Sequence, residues 1–252
     1  MALSKNSIKF IKSLSTKKFR QKYNKFIVEG DKMIREILTQ DNLTIDSIYA
    51  TESWIETLDP SLSLPEHKTF KISLTELSRI SSLKTPNQVL AVLEMPVLNI
   101  DESLLLNNYN LYLDNIQDPG NLGTIMRIAD WFGIPQVFRS PGTVDLYNSK
   151  VIQSTMGAFL RVNSPVADLA EIVKSYSEIP VLGAVLDGEN IFKTDYPGKG
   201  VIVIGNEGKG ISEQNLSLLT KKISIPATHN TGAESLNAAV ATGIICAELK
   251  NR

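Results

Sequence analysis

Apolar and polar positions alternate along the chain in two successive blocks of short strands and helices. In the first block, residues 4–22 predict one or two helices, and the apolar positions of 31–38 recur at i, i+3 and i+4, as in an amphipathic helix. Residues 26–28 predict a strand. Further strands and helices are predicted at 45–50, 53–58, 69–72, 75–80 and 88–93. This alternation predicts a small α/β sandwich domain over residues 1–96.

A polar segment separates the first block from the second. Residues 97–108 include Asn99, Asp101 and the pair Asn107-Asn108, and they predict a linker. Beyond the linker, strands are predicted at 111–113, 137–138, 181–185, 201–204 and 223–225, and helices at 122–132, 149–159, 212–219 and 235–250. Because regular strand–helix alternation implies parallel neighbours, residues 109–252 predict a second α/β domain with a mostly parallel sheet.

Positive charge is concentrated at the start of the chain. The net charge is −1, yet the first 25 residues contain no acidic side chain. Their eight basic residues are Lys5, Lys9, Lys12, Lys17, Lys18, Arg20, Lys22 and Lys25. A basic arm on an acidic body is typical of a protein that binds phosphate, so Lys17, Lys18 and Arg20 are candidate RNA-binding residues. Composition alone favours equally a solvated helical face that keeps the domain soluble.

Other features of the composition exclude several classes of protein. No apolar run approaches the roughly 18 to 20 residues that span a bilayer, and the N-terminus lacks the apolar stretch of a secretory signal. The single cysteine, Cys246, permits neither an internal disulfide nor a cysteine-based metal cluster. We therefore expect a cytoplasmic protein with no metal and no membrane partner.

Three segments of the second block contain candidate chemistry. In the first, residues 114–133, a strand ends at a polar loop and a helix follows with Asn121 and Arg127 near its start. Open α/β sheets bind ligands at the carboxyl ends of their strands, where these residues are expected. The alternative is that Asn121 caps the helix and Arg127 lies on its surface.

The second and third segments each contain a strand followed by a loop and a helix. Residues 201–212, VIVIGNEGKGIS, have glycines that allow a ligand to approach the backbone closely, or that merely form a tight turn. They match neither GxGxxG nor the phosphate-binding pattern GxxxxGK[ST]. Residues 223–241, ISIPATHNTGAESLNAAVA, end in small residues that allow close helix packing.

Taken in this order, the three segments resemble the SpoU/TrmH-type RNA ribose methyltransferases of the SPOUT class. The resemblance rests on Asn115, Asn121 and Arg127 in N-x5-NLG-x3-R, on GNEGKG at 205–210, and on IP at 225–226 followed by SLNAAVA at 235–241. It covers the second half of the chain. The basic helices and FIVEGDKMIREIL also resemble the ribosomal-protein-like substrate-binding domain that often precedes this catalytic domain.

The resemblance implies a catalytic domain with a C-terminal trefoil knot, an exception to the near-absence of knots in proteins. It implies that S-adenosylmethionine binds there, mostly through backbone groups, at positions that match Val185, Gly205, Ile225 and Leu236. The functional polar residues of the family match Asn121, Arg127, Glu207, Ser235 and Asn237. The family acts as a homodimer in which the two subunits share the active site.

These residues suggest a mechanism. An arginine is a poor base, so we expect Arg127 to bind a phosphate beside the target nucleotide and to stabilise the developing alkoxide, with that phosphate or a water accepting the proton. We expect Asn121 and Glu207 to orient Arg127 and the glycine-rich loop. Ser235 and Asn237 are expected to position the ribose or the start of the last helix.

The predicted activity is 2′-O-methylation of structured RNA, with ribosomal RNA as the first expectation and tRNA as the alternative. A non-catalytic RNA-binding protein on the same scaffold is a second alternative, and the intact polar set argues against it. A nucleotide-dependent oxidoreductase is a third alternative. It is disfavoured because GxGxxG and the acidic residue that binds the ribose in such enzymes are missing.

Overall fold

The computed structural model describes residues 3–227, 232 and 234–250, which fold as two compact units. The first unit combines the chain up to Val97 with Asp145–Gly157, and the second combines Leu98–Val144 with the chain from Ala158. The helices are α1 (Lys5–Ser13), α2 (Lys17–Tyr23), α3 (Asp31–Leu38), α4 (Glu52–Ile55), α5 (Leu74–Ser78), α6 (Glu102–Asn107), α7 (Pro119–Trp131), α8 (Ser149–Thr155), α9 (Leu169–Ser175), α10 (Glu213–Leu216) and α11 (Ala238–Lys250). The strands are β1 (Lys25–Glu29), β2 (Ile45–Ala50), β3 (Thr69–Lys71), β4 (Val89–Glu94), β5 (Tyr109–Leu113), β6 (Val137–Arg139), β7 (Val181–Asn190), β8 (Gly200–Ile204) and β9 (Lys221–Ser224). No helix in these ranges is long and apolar enough to cross a membrane.

The first unit is built on a mixed four-stranded sheet in the order β1-β4-β2-β3. Its central strand β4 pairs antiparallel with both β1 and β2, and residues Val89 to Leu93 of β4 are fully buried. Such a continuous apolar run marks a strand that is covered on both faces. Ile11 of α1 and Leu14, which caps its end, pack in the same core as Leu90 and Val92, so the basic N-terminal helix belongs to the fold of this unit.

The second unit is built on a five-stranded sheet in the order β6-β5-β8-β7-β9, in which every pair of strands is parallel. This confirms the predicted α/β fold with a parallel sheet. Strands β5 and β8, YNLYL and GVIVI, are buried along their whole length. Strand β7 has an irregularity, because Ala184 and Glu189 both pair with Ile223, so residues 185–188 form a bulge at its carboxyl end.

Two segments differ from the sequence-based expectation. Residues 97–108 were expected to form only a linker, but they contain α6, where Asp101 accepts a hydrogen bond from the backbone N–H of Leu104 (3.0 Å). The helix expected over 149–159 ends at Thr155, because Met156 adopts a left-handed conformation with φ of 50°. Residues 145–157 fold with the first unit, where the ring centroids of Tyr147 and Phe26 lie 4.5 Å apart.

Arg20 does not have the RNA-binding role expected for it, because its side chain is buried and only 2% exposed. The guanidinium donates to the carbonyls of Leu14 (2.9 Å) and Ser15 (2.8 Å), and it forms an ion pair with Asp145 (2.6 Å). A guanidinium with these partners is not available to a phosphate. Arg20 instead connects the turn after α1 to the 145–157 segment of the same unit.

Replacing Arg20 by glutamine should therefore destabilise the first unit. The change leaves Asp145 and two carbonyls without their donor, and we expect the free energy of unfolding to fall by about 3 kcal/mol. Urea denaturation should show this loss of stability as a lower urea concentration at the midpoint of unfolding. Lys18→Gln, at an exposed site on the same helix, is the matched control and should change stability by less than about 0.5 kcal/mol. Equal losses in the two variants would contradict this role for Arg20.

Candidate active site at the strand ends of the second unit

Two polar loops meet where the adjacent parallel strands β5 and β8 end. Asp114, the first residue after β5, is buried, and its Oδ2 accepts hydrogen bonds from the backbone N–H and the hydroxyl of Ser212, both at 2.8 Å. The Nδ2 of Asn206 donates to the carbonyl of Asn115 (2.7 Å). These bonds join the 114–118 loop to the 205–212 loop at the sheet edge where open α/β sheets bind ligands.

Helix α7 begins with a proline and a capping carboxylate, three residues earlier than the sequence predicted. Pro119 is the first helical residue, and Oδ1 of Asp118 accepts a hydrogen bond from the backbone N–H of Asn121 (2.8 Å). This arrangement satisfies one of the free N–H groups in the first turn. It also places Asn121 in that turn, next to the glycine-rich loop.

Three of the predicted site residues form one hydrogen-bonded chain. The Nδ2 of Asn121 donates to Oε1 of Glu207 (2.8 Å), and the Nδ2 of Asn237 donates to Oδ1 of Asn121 (2.9 Å). The Oδ1 of Asn237 then accepts from the backbone N–H groups of Ala239 (2.9 Å) and Val240 (3.3 Å) at the start of α11. We call Glu207, Asn121 and Asn237 the carboxylate–amide relay.

The direction of the relay follows from the chemistry of Glu207. An ionised carboxylate only accepts hydrogen bonds, so Asn121 must turn its amide nitrogen toward Glu207 and its oxygen toward Asn237. Asn237 must then donate to that oxygen, which leaves its own oxygen free to cap α11. Glu207 also faces the backbone N–H groups of Gln117 and Asp118, both at 3.4 Å. The charge of one side chain thus orients two amides and one helix start.

The glycine-rich loop is held by its own hydrogen bonds. The backbone N–H and C=O of Asn206 pair with the C=O and N–H of Gly210 (2.9 Å each), and Oδ1 of Asn206 accepts from Gly208 and Lys209 (3.0 Å each). A Cβ on Gly205 would lie 2.3 Å from the backbone of Gly210 and of Ile211. The loop's own turn therefore requires glycine at 205, independently of any ligand.

The positions expected to bind the cofactor lie along neighbouring strands. Val185, Gly205 and Ile225 follow the paired parts of β7, β8 and β9, which are adjacent in the order β8-β7-β9. Leu236 lies two residues before α11 and is half exposed. In the described part of the chain, the backbone N–H and C=O groups of Gly205, Ile225 and Leu236 make no hydrogen bond. Such a set fits a ligand bound through backbone groups.

Two expected site residues stand outside the relay. Arg127 and Ser235 are both exposed, and neither forms a hydrogen bond or ion pair with any described residue. The expectation that Asn121 and Glu207 orient Arg127 is therefore not met in this structure, because both side chains are engaged with each other. Arg127 instead shares an exposed line of α7 with Thr124 and Trp131.

Two buried groups of this unit do not serve as bases at neutral pH. Burial raises the pKa of the Tyr112 phenol to about 12, and burial also raises the pKa of the Cys246 thiol to about 12. The Tyr112 hydroxyl accepts from the backbone N–H of Leu169 (3.2 Å) inside the core. Both groups remain protonated, so they do not take a proton from a substrate hydroxyl.

Sequence reasoning missed Asp114, Asp118 and Asn206, which hold the two loops in place. One signal was present, since Asp114 and the 205–206 pair each follow directly after a buried strand, where polar side chains gather at the sheet edge. The pattern did not indicate which of them bond to each other. Their partners lie as many as 98 residues away in the chain.

Comparison with known proteins agrees with this geometry. Residues 108–247 match the model of the SpoU rRNA Methylase family, and residues 5–91 match the MRM3-like substrate binding domain. The chain is 30% identical over 246 residues to the 23S rRNA (guanosine(2553)-2′-O)-methyltransferase RlmP of Bacillus subtilis, covering 96% of this chain and 95% of that protein.

The fold also matches solved structures. A TrmH family protein from Porphyromonas gingivalis matches with a TM-score of 0.88 and 33% identity, over 100% of this chain and 99% of that one. At 23% identity, the AdoMet-bound rRNA methyltransferase of Sinorhizobium meliloti shares the fold, with a TM-score of 0.84 over 100% of this chain and 96% of that one. The chain belongs to the SpoU rRNA methylase family.

Proposed function

We propose that this protein transfers the methyl group of S-adenosylmethionine to a ribose 2′-hydroxyl of ribosomal RNA. The observation that carries the proposal is the carboxylate–amide relay of Glu207, Asn121 and Asn237, which lies at the strand ends beside the unpaired backbone groups of Gly205. Support for the substrate comes from the family and from a relative, matched over almost the whole chain, whose name specifies 2′-O-methylation of 23S rRNA.

The residues at the strand ends fit the cofactor. Gly205, Ile225 and Leu236 offer backbone donors and acceptors that the described protein does not use. Val185, which is partly buried against the apolar core of the same unit, follows the paired part of the neighbouring strand β7. When bound, S-adenosylmethionine supplies a methyl group on a positively charged sulfur. The C-terminal trefoil knot implied by the resemblance is part of this proposal. It is supported by the sheet order, which places the last strand β9 beside β7, and by α11, which packs against α7.

Arg127 acts in this proposal as a cation that binds RNA. Arg127 is exposed, and its guanidinium has no partner among the described residues, so it is available to bind a phosphate. Arginine remains protonated at neutral pH, so its contribution is to hold the phosphate beside the target ribose and to stabilise negative charge on the 2′-oxygen. That phosphate or a water accepts the proton. Ser235, which is exposed, contacts the ribose in this proposal.

The lysines of α1 and α2 bind the RNA backbone in this proposal. Lys5, Lys9 and Lys12 are exposed and recur at i, i+4 and i+7, which places them on one face of α1. Lys17, Lys18 and Lys22 of α2 are exposed as well. Arg20 and Lys25 are left out of this surface, because they form ion pairs with Asp145 and Asp46.

A homodimer completes the proposal. On α7, Trp131 is 84% exposed, and near the start of α11 the apolar side chains of Leu236 and Val240 are about half exposed. Apolar surface of this kind on two helices that pack against each other favours a self-complementary interface. Arg127 lies on the same exposed line of α7 as Trp131, so a second subunit would be brought close to it. The cytoplasmic localisation expected from the sequence stays a prediction.

Asn237→Asp separates the relay from the helix cap. Aspartate keeps the oxygen that caps α11 and remains a good capping residue, but it loses the donor to Asn121 and sets a carboxylate against the Asn121 oxygen. We expect the melting temperature to stay within about 2 °C of the wild type. Methyl transfer to rRNA should fall at least about ten-fold, for a loss of roughly 1.4 kcal/mol or more.

The control for this variant is Asn148→Asp. Asn148 caps α8 in the same way, through Lys150 (2.9 Å), and its amide nitrogen has no partner among the described residues. The Asn148→Asp variant should change neither the melting temperature nor the rate of methyl transfer. Full activity of Asn237→Asp would show that the relay has no role beyond capping.

Arg127→Ala tests the reaction and its substrate together. RNA from a strain that lacks the protein should be missing the 2′-O-methyl group at one rRNA ribose, and wild-type protein should restore it. The variant should not restore it, while titration calorimetry of the variant finds nearly unchanged affinity for S-adenosylmethionine.

Light scattering at micromolar concentration should report a dimer for both the wild-type protein and the Arg127→Ala variant. Loss of cofactor affinity in proportion to activity would contradict the role of Arg127, and an unaltered rRNA methylation pattern would contradict the substrate.

The lysine surface predicts a salt-dependent affinity for RNA. Replacing Lys17, Lys18 and Lys22 with glutamine should flatten the dependence of log K on log salt by about two to three units, at roughly 0.7 to 0.9 per phosphate contact. Lys174, Lys193 and Lys199 are also exposed, and replacing them removes the same charge from the second unit. Filter binding at three salt concentrations compares the two triple variants. Identical slopes would assign the N-terminal lysines to solubility alone.

A further inference from the structure

Asn206 separates the two residues of the glycine-rich loop that the proposed function uses, Gly205 and Glu207. The residue before it, Gly205, has the unpaired backbone groups, and the residue after it, Glu207, begins the carboxylate–amide relay. The side chain of Asn206 uses both of its ends. Its oxygen accepts from Gly208 and Lys209 and closes the turn, while its nitrogen donates across to the carbonyl of Asn115 and faces Oε2 of Glu207 at 3.4 Å.

The carbonyl that Asn206 binds is held in a fixed position. Asn115 adopts a left-handed conformation with φ of 58°, which is uncommon for a residue other than glycine. Its backbone N–H donates to the hydroxyl of Ser140 (2.9 Å), and its side-chain nitrogen donates to Asp114 (2.7 Å). The bond from Asn206 to this carbonyl, at 2.7 Å, therefore joins the glycine-rich loop to a rigid point at the end of β5.

We propose that Asn206 is a positioning residue for methyl transfer, whose amide nitrogen sets the glycine-rich loop, and with it the backbone of Gly205 and the carboxylate of Glu207, against the end of β5. The inference rests on the proposed binding of S-adenosylmethionine at these strand ends. It goes further by assigning a role to a residue that touches neither the cofactor nor the RNA in that proposal.

Asn206→Asp tests this role, because it changes one end of the side chain and keeps the other. The oxygen that closes the turn is retained, but the donor to Asn115 becomes an acceptor, and a second carboxylate faces Glu207. The other charged residues of the two loops that Asn206 joins are Asp114 and Asp118 on the β5 loop and Lys209 on its own loop. Two carboxylates this close favour taking up one proton between them. The protonated variant regains a donor, an O–H in place of the N–H.

We expect titration calorimetry at pH 8 to find the affinity of Asn206→Asp for S-adenosylmethionine lowered about ten-fold or more. As the pH falls to 5.5, the affinity of the variant should recover toward that of the wild type, whose own affinity changes little over this range. Asn206→Ala loses both ends of the side chain and should bind weakly at both pH values. Asn148→Asp adds the same charge at an unrelated cap and should bind as the wild type does.

Each outcome decides a different question. Unchanged affinity of Asn206→Asp at pH 8, with binding by the wild type, overturns the positioning role alone. A loss of affinity that follows a lowered melting temperature and does not recover at pH 5.5 also overturns it, since Asn206 would then serve only to hold the fold. Failure of the wild-type protein to bind S-adenosylmethionine overturns the proposed function instead.

Discussion

The arrangement of the candidate site depends on one constraint, which is that an ionised carboxylate can only accept hydrogen bonds. Because Glu207 accepts, Asn121 turns its amide nitrogen toward Glu207 and its oxygen toward Asn237. Asn237 then donates to Asn121 and accepts from the backbone N–H of Ala239 at the start of α11. Each amide could face either way in isolation. The negative charge removes that freedom, so the loop after β8, the first turn of α7 and the start of α11 are oriented together although they lie far apart in the sequence.

The parts of the fold that follow from local pattern could be predicted. Strands β5 and β8 are continuous apolar runs, which predict strands covered on both faces, and their alternation with helices predicts a parallel sheet. Contacts between distant residues could not be predicted in this way. Arg20 has the same composition signal as its neighbouring lysines. Its burial and its ion pair with Asp145, 125 residues away, distinguish it from them.

The candidate site shows the same division between residue identity and contact. The motifs identified Asn121, Glu207 and Asn237, and the structure joins these three through hydrogen bonds. The sequence did not show that the relay leaves Arg127 free, because a motif gives the order of residues and not the direction of their side chains. Nor did it show why Gly205 is a glycine, since that depends on how closely the loop approaches its own backbone at Gly210.

The division of the chain into two units has a consequence for how such a protein can change in evolution. The chain passes between the units at three places, after Val97, after Val144 and after Gly157. Residues 145–157 supply part of the first unit from within the sequence of the second. A substrate-binding domain exchanged as a single linear piece would arrive without its own Asp145 and α8. Recombination at the end of β4 alone would therefore separate residues 145–157 from the unit with which they fold.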